Sequence, residues 1–172
     1  MVVRGLLFFA LYVASIVGAN WAIVTFGVVP VAPGLMAPAG VYFAGLAFTF
    51  RDLTQDALGK WWVVGAVIVG AAISYALSTP ELAIASGTAF LFSELADFAV
   101  YTPLRERNWL AAVFASNVIG VTADSALFLQ LAFGSLDFLL GQVVGKLTMT
   151  LLAVAVLYFA RTVLSPRREA AV

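Results

Sequence analysis

Residues Phe138–Ala160 read FLLGQVVGKLTMTLLAVAVLYFA, with Lys146 as the one charge in the run. A helix that crosses a bilayer needs about 20 mostly apolar residues, and this stretch is long enough. Hydrophobic residues make up 63% of the 172-residue chain and charged residues 10%. A soluble domain is roughly half apolar and about a quarter charged. The chain holds more apolar surface than a soluble fold of its size could bury, so its solvent is expected to be a lipid bilayer.

Five further runs lie upstream. Leu6–Val29 is closed by Pro30 and Pro33. Leu35–Phe50 is short unless it continues into the polar stretch after it. Trp61–Leu77 is closed by Ser78-Thr79-Pro80, and Leu82–Thr102 by Pro103. Trp109–Phe133 completes the set. The connections leave no room for a soluble domain. The expectation is an all-α polytopic membrane protein, one six-helix transmembrane domain over residues 1–172. The first run exceeds the apolar core of a signal peptide, about 7–15 residues, and is read as a retained span.

Basic residues orient such a bundle, because cytoplasmic loops collect Lys and Arg. Arg4 precedes the first run, Arg51 and Lys60 separate the second and third, and Arg105 and Arg107 separate the fourth and fifth. Arg161, Arg167 and Arg168 follow the sixth. All fall on one side; the opposite connections carry only Glu81 and Asp137. Both termini are therefore expected in the cytoplasm. The stretch Phe48–Trp62, FTFRDLTQDALGKWW, becomes a cytoplasmic connection in this reading. Arg51 and Lys60 fix topology there, while Asp52 and Asp56 need another explanation. Trp61, Trp62 and Trp109 sit where an interfacial aromatic belt is expected.

An ionisable group in mid-helix costs about 2.5–3.5 kcal/mol on insertion scales, so those inside the runs need a reason. The fourth run holds Glu94 and Asp97, the fifth Asn117 and Asp124, the sixth Gln142 and Lys146, and the first Asn20. Spacings of three, four or seven place each pair on one helical face. Three such stripes should turn towards one another and form a polar cavity. Asp124 and Lys146 both lie roughly 12–14 Å from the same membrane face, at 1.5 Å per residue, so an ion pair between them is expected. Glu94 and Asp97 lie nearer the cytoplasmic half and need a donor-rich or cationic partner, or a proton. Phe48, Phe50, Phe90, Phe92 and Phe98 are candidates for stacking on a ligand, against the more ordinary reading that each packs the bundle.

Net charge is zero, so nothing points to nucleic acid. The chain has no His and no Cys, which removes a thiol nucleophile, a His base, a His-ligated haem and a Cys/His zinc site. No cofactor and no metal are expected.

At these residues the sequence resembles the bacterial queuosine-precursor transporter family, formerly described as vitamin uptake transporters. FTFRDLTQDALGK is similar to that family's Phe/Thr-rich helix end followed by acidic residues, Gly and Lys. FLFSELADFAVYTPLRER is similar to its Ser-Glu/Gln-x-x-Asp element before a basic loop. WLAAVFASNVIGVTADSALFLQLAF is similar to its Asn and Asp-Ser/Thr pattern, and LLGQVVGKLTMTLLA to its mid-membrane Lys. The chain departs from the family in its brief first external loop and in reading Thr-Gln-Asp where members often have Asn-Glu.

The resemblance implies uptake of deazaguanine bases: the cyano and aminomethyl precursors preQ0 and preQ1, or queuine. A guanine-like edge offers adjacent N–H and amino donors to a carboxylate and a carbonyl to an amide. The residues implied for the site are Asn20, Glu94, Asp97, Asn117, Asp124, Gln142 and Lys146. Asp52 and Asp56 would stand at the cytoplasmic end of the pathway or on the site floor. An aminomethyl cation would suit Glu94 and Asp97. A secondary, proton-coupled carrier is the mechanism expected, and a homo-oligomer is compatible with it.

A rival reading is the substrate-binding S-component of an energy-coupling-factor vitamin importer. Those subunits are also small six-helix proteins and carry Ala-x-x-x-Ala on the first helix; this chain has Ala10 and Ala14. That reading alone brings a coupling-factor partner. An intramembrane protease built on Glu94/Asp97 or Asp97/Asp124 is the third class, and no enzyme is expected, because acids within membranes more often mark transport pathways.

Overall fold

In the computed structural model, residues 2–105, 107 and 109–164 are described. Six helices follow one another: α1 (Val2–Phe26), α2 (Val41–Leu58), α3 (Lys60–Leu77), α4 (Pro80–Arg105), α5 (Trp109–Phe133) and α6 (Leu139–Leu164). Three of them, α1, α3 and α6 over Leu139–Val156, are long and apolar enough to cross a membrane by length and composition. Residues 118–133 of α5 form a shorter apolar helix. The chain is a helical, multi-pass membrane protein.

The expected first and second runs need correction. Helix α1 stops at Phe26, and Val28–Ala32 (β1) pairs antiparallel with Leu35–Pro38 (β2). The register sets Val28 against Pro38, Val29 against Ala37 and Pro30 against Met36. The reason is local. Pro33 and Gly34 form a tight turn in which Gly34 takes φ +73°, matching Pro and Gly at the two central positions of a type II turn. Tyr42 Oη donates to the Pro30 carbonyl at 2.7 Å and ties β1 to α2.

Helix α2 therefore begins at Val41, not Leu35, and regains its length by running through the polar stretch to Leu58. Phe48–Leu58 is helix rather than loop. Gly59, at φ +92°, donates its N–H to the Gln55 carbonyl at 2.8 Å and ends it. Lys60 opens α3 at once. Helix α4 carries Pro103 inside its last turn instead of stopping before it, and α6 extends past Ala160 to include Arg161.

Apolar side chains gain little by leaving lipid for a helix interface, so close approach of backbones matters in a membrane bundle. Ile16 of α1 packs on Gly70 of α3, and α2 meets α6 at Gly45. Gly141 lets the Met36 carbonyl of the hairpin rest on α6, where a Cβ would overlap it. The Gly141/Gly145 step is thus used within the chain. Two apolar clusters form the core. One joins Tyr12, Ile16, Ala47, Phe48, Val63, Val67, Phe90 and Val121. The other joins Ile23, Ala85, Ala89, Phe128 and Leu129, and lies closer to the hairpin end.

Candidate functional site

A cavity of about 40 Å³ lies between the two clusters. Residues of both line it: Ile16, Ala47 and Phe90 from one, Ile23 and Phe128 from the other. Five helices contribute. Asn20 comes from the last turns of α1, Ala44 from α2, Ser86 from the first turns of α4, Asp124 from α5, and Gln142 and Lys146 from the start of α6. Asn20 to Phe26 is roughly 9 Å of helix, so the cavity occupies the half of the bundle nearest the hairpin. Gly40, the residue before α2, lines it on that side.

Lys146 is 1% exposed and Asp124 6%. Lys146 Nζ donates to Asp124 Oδ2 at 2.6 Å and to Ser125 Oγ at 2.9 Å. The expected ion pair is therefore present, and consecutive residues of α5 supply both acceptors. An ammonium has three donors and a carboxylate two oxygens. Among the described residues, one N–H of Lys146 and one oxygen of Asp124 remain for something else.

The amides beside this pair are not satisfied by the described residues. Asn20 is 1% exposed, and neither its Oδ1 nor its Nδ2 has a hydrogen-bond partner among the described residues. Gln142 is 2% exposed, and its Oε1 is equally without one. A buried polar group left unpaired costs about 1–3 kcal/mol. Three such atoms around one cavity, next to a half-used ion pair, are the arrangement a hydrogen-bonding ligand would complete.

Of the predicted residues, Asn20, Asp124, Gln142, Lys146 and Phe90 meet at this cavity. The side chains of Glu94, Asp97, Phe98 and Asn117 lie outside the described residues. Phe48 is buried one layer deeper, its ring 5.4 Å from that of Phe90. Phe50 packs against the same cluster. Phe92 is 56% exposed and faces away from the bundle, so it is not placed to stack on a ligand here. Asp52 and Asp56 are exposed on α2 and do not line the cavity. Because the stretch is helical, its faces separate: Asp52 points out, its Oδ1 2.9 Å from Arg51 Nε in an ion pair, while Arg51 is buried with its guanidinium 5.8 Å from the Phe48 ring. Among the described residues, no group of acidic side chains gathers as a metal site.

Ser15, Ser86, Ser125 and Phe128 were not predicted. The four-residue helical step could have found two of them, since Ser86 precedes Phe90 by four and Phe128 follows Asp124 by four.

The profile of a protein family described as "Putative vitamin uptake transporter" matches residues 74–160. The chain belongs to this family. It is the family also named for queuosine precursors, as the resemblance implied. The matched segment carries α4, α5 and most of α6, and with them Ser86, Phe90, Asp124, Phe128, Gln142 and Lys146. No curated protein and no solved structure matches the chain. This vitamin uptake transporter family member thus draws the ion pair, Gln142, Ser86 and both aromatic walls of its cavity from the matched segment, while Asn20 and the rest of the lining come from α1, Gly40 and α2.

Proposed function

We propose that this family member is an inner-membrane uptake carrier for deazaguanine bases, the precursors of queuosine, in a prokaryote. The observation that carries the reading is the set of unsatisfied amide atoms on Asn20 and Gln142 beside the spare donor of Lys146 and the spare oxygen of Asp124. A purine-like lactam edge presents the complementary groups, a carbonyl and adjacent N–H donors. Phe90 and Phe128 supply aromatic walls for a flat ring. In this reading the six helices are six spans with both termini cytoplasmic, as the one-sided basic residues require. The cavity then lies in the outer half of the membrane. Glu94, Asp97 and Asn117 complete the site towards the cytoplasm, and Asp52 and Asp56 stand at the pathway's inner end.

The carrier is secondary: it alternates access by moving helices around the base, and a proton taken up by Glu94, Asp97 or Asp124 drives uptake. Uptake that ignores both external pH and uncouplers would remove the proton from this account. Recognition is tested by thermal stabilisation of the purified protein with deazaguanines, guanine and several vitamins. A specific ligand at a hundredfold excess over its Kd adds about 2.7 kcal/mol. A shift confined to deazaguanines supports the reading; a shift with a vitamin alone refutes it.

One observation favours a second reading, the S-component of an energy-coupling-factor importer. Ala10 and Ala14 are exposed and line an apolar groove between α1 and α3 with Phe9, Val13 and Ile73. A partner helix could seat there. Co-purification of a transmembrane coupling protein with ATPases decides between the two.

A further inference from the structure

The seat of Lys146 carries the site one step further; this step rests on the base-recognition reading above. Two successive residues of α5 hold the ammonium, Asp124 through Oδ2 at 2.6 Å and Ser125 through Oγ at 2.9 Å. Successive residues of a helix point about 100° apart, so the two acceptors stand on different faces. Asp124 shares its face with Phe128, one turn on, and both line the cavity. Ser125 shares its face with Val121 and Leu129, four residues to either side. All three are buried, and none of them lines the cavity. The ammonium therefore sits at the boundary between the cavity and the packed interior, with one acceptor on each side.

We propose that Ser125 is a positioning residue: it keeps the Lys146 ammonium at the cavity wall while Asp124 turns from Lys146 to the N–H donors of a bound base. A ligand reaches the pair from the cavity and meets Asp124 there, so its donors compete with Lys146 for the carboxylate. Ser125 lies behind, where its hydrogen bond is untouched by what Asp124 does. Lysine is a compact charge on a flexible four-carbon stem, and its acceptors give it direction. With the carboxylate as its one acceptor on α5, the ammonium would follow each movement of Asp124 or be left as a buried ion without its partner, which is strongly unfavourable. The hydroxyl supplies a second acceptor, fixed in the packed face of α5. Gly45 holds the other end of the residue, close against the Lys146 carbonyl oxygen and Cα. Backbone and tip of Lys146 are thus anchored by two residues that do not line the cavity, and Asp124 is released to serve the ligand.

The test uses two variants of one shape. Ser125→Thr keeps a hydroxyl and Ser125→Val puts a methyl group in its place, so the added bulk cancels between them. The cyano deazaguanine is titrated calorimetrically into each purified full chain. Ser125→Val is expected to bind about tenfold more weakly than Ser125→Thr, the scale of one hydrogen bond to a charged group. A hydroxyl with a structural role alone would lower the thermal midpoint of ligand-free Ser125→Val and leave its affinity equal to that of Ser125→Thr; equal affinities overturn the proposal while leaving base recognition intact. The seat itself is read by nitrogen NMR with isotope-labelled lysine. Lys60 is the other lysine of the chain, so in a Lys60→Arg background the Nζ resonance belongs to Lys146. On addition of the base it should stay sharp in Ser125→Thr and broaden or disappear in Ser125→Val. A resonance that responds alike in both variants overturns the proposal as well. Should the bulkier variants not fold, Ser125→Ala against the unaltered protein carries the same two expectations. Failure of the unaltered protein to bind the base removes the base-recognition reading and this step with it.

Discussion

Gly45 of α2 lies directly against the backbone of Lys146 on α6. A Cβ at Gly45 would stand 2.8 Å from the Lys146 carbonyl oxygen and 2.6 Å from Met149 Cβ. Nearby, Thr150 Oγ1 donates to the Gly45 carbonyl at 3.0 Å. This contact fixes where α6 sits relative to α2 and so where Lys146 enters the cavity. Gly45→Ala should destabilise the protein by about 1–3 kcal/mol, the usual cost of overpacking, and weaken ligand binding by shifting Lys146. Gly65 is the control: nothing lies within 4 Å of a Cβ there. Gly65→Ala should be neutral or stabilising by up to about 1 kcal/mol, since Ala is the better helix former. Thermal midpoints of the two variants check the contrast.

Breaking the Asp124–Lys146 pair from one side leaves a buried ion without its partner. Asp124→Asn or Lys146→Met should each cost about 3–5 kcal/mol, whereas the double substitution Asp124→Leu/Lys146→Met should be much milder. A double variant that retains stability but no longer binds ligand assigns the pair a part in recognition. Single and double variants that lose stability alike would contradict the pairing argument.

Asn20 poses the opposite case. Its buried amide satisfies nothing within the described protein, so replacing it with Leu should leave the ligand-free protein equally stable or raise its stability by about 1–3 kcal/mol, the cost of an unsatisfied polar group removed. A marked loss of stability in ligand-free Asn20→Leu would show that the amide has a structural partner after all.

The hairpin offers an independent check on the fold. Tyr42→Phe removes the hydroxyl that holds the Pro30 carbonyl and keeps the ring. It should cost about 0.5–1.5 kcal/mol, the net worth of one hydrogen bond. Because the hydroxyl lies outside the cavity lining, ligand affinity should stay within a factor of about three, well under the 1.4 kcal/mol that a tenfold change represents.

The helices were legible because apolar length and breaker residues mark them directly. Helix α5 was read at its observed limits, Trp109–Phe133. The Asp124–Lys146 pair was legible because two opposite charges at equal depth on neighbouring helices have few other partners. The hairpin was missed because Val28–Ala39 is as apolar as a span and only ten residues lie between Gly27 and Pro38; the Pro33-Gly34 turn and the β-branched Val28, Val29 and Val31 were the available signals. The polar stretch Arg51–Asp56 was read as loop by its charges, yet it is the end of α2, with Arg51 turned inwards and Asp52 outwards. Composition cannot separate these cases: the helix is required only because the hairpin removes residues from the other end of α2. Ser15 carried no signal, since Ser is common in membrane helices whatever it faces, and Ser86 was marked only by its four-residue step to Phe90.

The most direct test of the account is a titration of the cyano deazaguanine into the purified protein and into Asn20→Leu/Gln142→Leu. The account predicts saturable one-site binding to the unaltered protein and a loss of at least a hundredfold in the double variant, about 2.8 kcal/mol at 1.4 kcal/mol per tenfold, with its thermal midpoint preserved. Undiminished affinity in the double variant would contradict the placement of the base against these two amides.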